Sequence, residues 1–180
     1  ALVGQGSMSG ALDAFDAVAE GGGLQAFGLY HKALALASVG DFEGAAEIFS
    51  GETGPQIRLT RRGVLTYARV LSQFERGADA VDLIDQAFGA DLDEEVAALR
   101  TRIDAGETVP MDVVTSPVEG IAEVAYSIAG ALNGDAVDGY TLLYTRVAEY
   151  LNPEHIDAIL LTATLLEDMA QYDLATEAYD

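Results

Sequence analysis

The sequence contains no cysteine, no tryptophan and only one lysine, Lys32. Without cysteine the chain cannot form disulfides, thiolate zinc sites or a cysteine nucleophile. Nine basic residues stand against 30 acidic ones, which gives a formal net charge of −21 at pH 7. A field this negative repels phosphates and anionic lipid headgroups, so we expect the protein to bind neither nucleic acid nor membrane surfaces.

Long apolar runs and a charged leader segment are also missing. The strongest apolar run, 156–166, is interrupted by Asp157 and two threonines, and it is far shorter than the ~20 residues that a membrane-spanning helix needs. The first four residues carry neither an initiator Met nor the charged head of a signal peptide. We therefore expect no membrane insertion and a soluble fragment whose own start and any signal lie upstream. The compartment stays open, with bacterial cytoplasm and periplasm as the two expectations.

The sequence does contain an internal period. Ala11, Ala45 and Ala80 are separated by 34 and 35 residues. Each is followed four residues later by a large apolar residue, and these are Phe15, Phe49 and Ile84. A small and a large residue at this spacing lie on one face of a helix. A preceding helix repeats as well, because Ala33 and Leu36 recur as Ala68 and Leu71.

The C-terminal third repeats with a period of 34 residues. Ala129 matches Ala163, and Leu132 matches Leu166. Asn152-Pro153 falls where one unit should stop and the next begin, since proline disfavours helix at the residue before it. The second helices of these two units align Thr141 with Ala175 and Thr145 with Tyr179. Each repeat is therefore predicted to be a pair of helices.

Local capping signals agree with an all-α fold. Gly40-Asp41 is predicted to end one helix and cap the next, because glycine adopts the left-handed conformation and the carboxylate accepts free amide protons. Ser116-Pro117-Val118-Glu119 has the pattern of a capping box. The β-branched run 109–115 is the one exception to a helical pattern, and we predict no sheet.

These residues carry a family resemblance. The run 33–49, with its Gly40-Asp41-Phe42 turn, Ala45 and Phe49, resembles a tetratricopeptide repeat, and 125–179 is similar to two more in tandem. The resemblance implies an α-α superhelix, a solenoid of antiparallel helix pairs with a break around 106–116. The expected domains are 1–105, with helix pairs and one extra helix near 93–105; an irregular linker at 106–116; and helix pairs with a truncated last unit at 117–180.

The resemblance also implies a concave groove that binds a protein or peptide partner. Its lining would come from the leading helix of each unit. The predicted groove residues are Tyr30, Leu34, Arg62, Leu65, Arg69, Gln73, Tyr126, Asn133 and Thr164. Arg62 and Arg69 are seven residues apart and share a helix face, where two guanidinium groups suit a peptide carboxylate. A non-catalytic binding scaffold is therefore the leading functional hypothesis.

The arginines also have a simpler interpretation. Five of the eight lie within nineteen residues, namely Arg58, Arg61, Arg62, Arg69 and Arg76. In so acidic a chain their role can be simply to balance the charge of neighbouring carboxylates. This interpretation carries the greater weight because surface ion pairs are common and weak.

Other candidate motifs are assigned structural roles. His31 and His155 have no ligand-spaced partner, so we expect surface or helix-end histidines, no metal site and no cofactor. Tyr140, Tyr144, Val147 and Leu151 form a stripe that we expect to pack as core between units, although tyrosines in this stripe could instead be exposed anchors for a partner.

Two alternatives to the scaffold stay open. One is an α/α-toroid hydrolase in which paired carboxylates face each other across a cavity. The other is a structural repeat protein that fills its groove with its own neighbour or tail. Apolar faces left unpaired at the terminal repeats would favour such self-association into a homo-oligomer.

Overall fold

The computed structural model describes residues 1–52, 54 and 59–179. These residues form ten α-helices and one short 3-10 turn, Val3–Gln5, and they contain no strand. The all-α prediction is therefore confirmed. None of the helices formed by these residues combines the length and the apolar character needed to cross a bilayer. The helices are α1 Met8–Glu20, α2 Gln25–Ser38, α3 Phe42–Ser50, α4 Arg61–Ser72, α5 Gly77–Phe88, α6 Glu94–Asp104, α7 Pro117–Leu132, α8 Asp138–Leu151, α9 Ile156–Asp168 and α10 Tyr172–Tyr179.

The chain divides into two compact units. Residues Leu2–Thr115 contain α1 to α6, and Ser116–Asp180 contain α7 to α10. The division falls inside the segment 106–116, which contains no helix. We call the two parts the N-terminal unit and the C-terminal unit, and each is described by itself.

Short polar signals set the helix ends. Gly40 adopts a φ of 84°, which glycine tolerates without strain, and it follows the end of α2. The Asp41 carboxylate then accepts a hydrogen bond of 2.9 Å from the Gly44 amide and caps α3. Ser116 Oγ likewise accepts from the Glu119 amide at 3.2 Å at the start of α7. The predicted caps are therefore present, and α8 ends at Leu151, just before Asn152-Pro153.

The periodic alanines lie where helices meet. Ala33, Ala45, Ala68 and Ala80 are all fully buried in the core of the N-terminal unit. A methyl side chain lets neighbouring helix backbones approach closely, which explains why small residues recur at these positions. Within each unit consecutive helices contact one another, and the predicted pairs α2–α3, α4–α5, α7–α8 and α9–α10 are all packed. The superhelical arrangement of the pairs stays a prediction.

Two expectations about exposure were wrong. His31 is neither at the surface nor at a helix end, because it is buried in the middle of α2 with the Phe27 ring 4.4 Å away. In the C-terminal unit, Tyr140 and Val147 are exposed rather than packed as core. Small residues take the packed side of α8 instead, so the large side chains point outward.

Candidate functional site

Three polar side chains at the end of α4 form the candidate site. Arg69, Ser72 and Gln73 are spaced at i, i+3 and i+4, so the helix places them on one face. Arg69 and Gln73 are two of the predicted groove residues. The helix begins at a capped end, because the Thr60 hydroxyl accepts a hydrogen bond from the Gly63 amide.

This face holds a non-helical segment of the same chain, residues 108–112, which we call the strap. Both backbone groups of Val109 are bonded to α4 side chains. The Val109 amide donates to Ser72 Oγ at 3.1 Å, and Gln73 Nε2 donates to the Val109 carbonyl at 2.7 Å. The strap is therefore held through its main chain, independently of side-chain identity.

Three side chains of the strap add specific contacts. The Val109 side chain enters the core and is 1% exposed, and Met111 packs against the same core. Arg69 Nε donates to Asp112 Oδ1 at 3.1 Å, while Arg69 Nη1 also donates to the Leu65 carbonyl. The α4 face thus binds three chemical features at once: a peptide backbone, an aliphatic side chain and a carboxylate three residues later.

The strap lies within the segment predicted as an irregular linker. Residues 108–112 contain no helix, and they are bound to the N-terminal unit through Val109. The Ser72 hydroxyl that helps to hold them also donates to the Arg69 carbonyl at 2.7 Å, which fixes its position on the helix.

The other predicted groove residues of the N-terminal unit do not form an open surface. Leu34 and Leu65 are buried, so they serve as core residues rather than groove lining. Tyr30 is half-buried and meets the Phe49 ring edge-on at 6.3 Å. Arg62 is half-buried in the first turn of α4. Arg69 and Gln73 are therefore the predicted residues that the structure brings together.

The three predicted residues of the C-terminal unit do not converge. The Tyr126 ring lies 4.7 Å from the His155 ring and is half-buried. Asn133 is exposed at the end of α7. Thr164 is exposed on α9, and its hydroxyl donates to the Leu160 carbonyl at 2.9 Å. A lining role for these residues stays a prediction.

Most of the clustered arginines pair with carboxylates. Arg61 bonds to Asp93 at 3.0 Å and to Glu95 at 2.9 Å, which ties the start of α4 to the start of α6. Arg76 bonds to Asp79 at 2.6 Å. Arg58 lies outside the described residues. The balancing role favoured from the sequence therefore applies to Arg61 and Arg76, and Arg69 stands apart because its carboxylate partner belongs to the strap.

A buried polar pair in the C-terminal unit was missed from the sequence. His155 caps α9, because its Nδ1 accepts a hydrogen bond from the Ala158 amide at 3.2 Å. This places the ring proton on Nε2, which lies 3.2 Å from Glu123 Oε2. His155 was correctly predicted at a helix start, but it is buried rather than at the surface, and so is Glu123. Neither side chain is open to a substrate, so the pair orders the interior of its unit.

The sequence held one signal for the strap. The run 109–115 is β-branched and follows no helical pattern, and Pro110 favours an extended backbone at the residue before it. That signal predicts an extended segment but does not say where it binds, because Val109 and Ser72 are 37 residues apart. Glu123 and His155, 32 residues apart, gave no local signal of their contact.

The part of the chain that the structure describes contains no cluster of metal ligands. Among those residues, no group of three histidine, aspartate or glutamate side chains is placed to hold an ion. Comparison with known proteins adds no assignment: no family model, no curated protein and no solved structure matches this chain.

Proposed function

We propose that this chain is a non-catalytic protein-binding scaffold, and that the end of α4 is a binding site for an extended peptide segment. The occupant would carry an aliphatic residue followed, three residues later, by an acidic one. The observation that carries this proposal is the strap, which the α4 face binds through both backbone groups of Val109 and through the Asp112 carboxylate.

The chemistry of the contact supports peptide recognition. Gln73 donates to the carbonyl of Val109 and Ser72 accepts from its amide, so both main-chain groups of one residue are bound. Proteins that bind extended peptides gain affinity from such main-chain hydrogen bonds and selectivity from the side chains that they accommodate. The Arg69 side chain is 14% exposed and its partner Asp112 is 62% exposed. The bond between them is charge-assisted, and Arg69 is held in place by its second bond to the Leu65 carbonyl.

The strap then acts as the built-in occupant. A partner segment of the same chemistry would have to displace residues 108–112, so its apparent affinity would fall by the fraction of molecules in which the strap is bound. A substitution that weakens the binding of the strap should therefore raise the affinity for a free peptide. A substitution that removes one of the α4 side chains that bind the strap should lower that affinity.

The test uses the intact chain and a fluorescent synthetic peptide that covers residues 107–115, with binding followed by fluorescence anisotropy. In Asp112→Asn the strap loses its ion pair with Arg69, and we expect the peptide to bind several-fold more tightly than to the unmodified chain. Adding Arg69→Ala to that variant should reduce the affinity at least tenfold, since the carboxylate of the peptide then has no partner.

The matched control is Arg76→Ala, which removes an arginine that pairs with Asp79 rather than with the strap. Added to Asp112→Asn, it should leave the peptide affinity within twofold of that of Asp112→Asn alone. Helicity by circular dichroism should be the same in all variants. If the Asp112→Asn chain fails to bind the peptide, or if Arg69→Ala and Arg76→Ala act alike, the α4 site is refuted.

A further inference from the structure

One face of α8 carries large apolar side chains in contact with solvent. Tyr140, Leu143, Val147 and Tyr150 are 63%, 56%, 38% and 86% exposed. Their spacing of three, four and three residues places them in one stripe along the helix. At 1.5 Å of rise per residue the stripe is about 15 Å long, which is close to three helical turns.

The stripe reverses the usual arrangement of a surface helix. Such a helix normally directs its large apolar residues at the core and its polar residues at solvent. In α8 the buried side holds the small residues Thr141, Thr145 and Ala148. The four stripe residues therefore lie outside the buried side of α8, and a helix face with this spacing is suited to pairing with another helix.

Exposed apolar residues are concentrated in this unit. The described part of the chain has fifteen exposed large hydrophobic residues, and all but Leu2, Leu24 and Val39 lie in the C-terminal unit. Contiguous exposed apolar patches mark sites of protein interaction. Tyrosines are among the residues that most often dominate the energy of such interfaces.

Charge decides which occupant fits. Residues 116–180 contain twelve acidic side chains and one basic one, Arg146, so their formal charge is 1 − 12 = −11. Arg146 lies on α8 itself and is bonded to Glu149 at 2.8 Å. A second copy of this chain would bring another −11 to the same face, whereas a basic segment would be attracted.

We propose that the exposed stripe of α8 binds a basic amphipathic helix of a partner protein. The partner helix would place apolar residues at i, i+3 or i+4, and i+7 against Tyr140, Leu143, Val147 and Tyr150, with lysine or arginine at its flanks. This site is independent of the α4 face, because it lies in the other unit and recognises the opposite charge.

The probe is a fluorescent 14-residue helical peptide with leucine along one face and lysine elsewhere. We expect it to bind the intact chain, and we expect the double variant Leu143→Ala with Tyr150→Ala to weaken binding at least tenfold. The matched control, Leu24→Ala with Tyr172→Ala, removes the same two residue types from other exposed positions and should stay within twofold of the parent. Alanine preserves helix propensity, and circular dichroism checks the fold.

A second pair of substitutions, Tyr140→Ala with Val147→Ala, must reproduce the loss, so the result does not depend on one variant. A peptide with glutamate in place of every lysine should fail to bind. Equal binding to the parent and both α8 variants, or equal binding of the lysine and glutamate peptides, overturns the proposal. Sedimentation showing a dimer that the α8 variants dissociate would assign the face to a second copy instead.

Discussion

The Asp93 carboxylate caps α6 and bonds to Arg61, and both contacts favour its charged form. The hydrogen bond from the Val96 amide, aided by Arg61, lowers the pKa of Asp93 below the ordinary value of 3.8. A carboxyl whose pKa is lowered by folding stabilises the protein above its unfolded pKa, and this contribution is lost as the pH falls through the folded pKa.

We expect Asp93→Ala to reduce the free energy of unfolding by about 1 kcal/mol near neutral pH, the usual value of an N-cap. Asp93→Asn should lose less, because an asparagine oxygen still accepts from the Val96 amide. The difference between the unmodified protein and Asp93→Asn should shrink as the pH falls below the unfolded pKa, as measured by urea unfolding at a series of pH values. A difference that stays constant across that range would contradict the assigned pKa direction.

The Glu123–His155 pair shows how a side chain can serve two elements. His155 caps α9 through Nδ1 and meets Glu123 of α7 through Nε2. The tautomer that caps the helix is also the one that donates to the carboxylate. The contact between Glu123 and the cap of α9 therefore depends on one tautomer of one ring.

At the scale of the elements, α1 and α2 cross at very close range. A Cβ added to Gly28 would lie 2.7 Å from the Ala19 nitrogen and 2.8 Å from the Phe15 carbonyl oxygen. These are backbone atoms, so neither can move aside by a change of rotamer. Lys32 Nζ also reaches Asp16 of α1 at 2.7 Å, which places a salt bridge beside the crossing.

We therefore expect Gly28→Ala to destabilise the N-terminal unit by about 2 kcal/mol or more, the scale of overpacking in a core. Gly130→Ala on α7 is the matched control, since its added Cβ would meet nothing within 4 Å. That substitution should stabilise by roughly 0.5–1 kcal/mol, because alanine favours helix. Thermal unfolding shows whether the melting temperature falls for Gly28→Ala and rises for Gly130→Ala. An unchanged melting temperature for Gly28→Ala would show that α1 and α2 can move apart at this position.

The helices were predictable because their signals are local. Ala33, Ala45 and the Gly40-Asp41 turn lie within thirteen residues, and spacing alone defines their faces. The same spacing cannot tell which face meets solvent, so Leu65 was assigned to the groove and Tyr140 to the core. Arg69 and Gln73 were predicted as groove residues, and both contact the strap. The strap itself was not predicted, because the attachment of Val109 depends on a contact between distant parts of the chain.

For the whole molecule, charge repulsion is the dominant electrostatic effect. Residues 1–115 contain 8 basic and 18 acidic side chains, a formal charge of −10, beside −11 for residues 116–180. Exposed ion pairs such as Arg100–Asp85 are weak because water and salt screen them. Self-repulsion of this size disfavours the compact state at low salt.

Raising sodium chloride from about 10 mM to about 150 mM shortens the screening length from roughly 30 Å to 8 Å. We expect the melting temperature to rise over this range, since the repulsion is screened more than the weak ion pairs are lost. Choline chloride at the same ionic strength should act equally, which separates screening from specific sodium binding. A lower melting temperature in salt would mean that the ion pairs outweigh the repulsion.

Within each unit, the contact of helices that are neighbours in sequence has a kinetic consequence. Pairs such as α2–α3 or α7–α8 form from residues only a few turns apart, so little chain entropy is lost before their contacts form. Such local pairs are therefore expected to form early in folding. The strap, which links positions 37 residues apart, belongs to the late steps of that process.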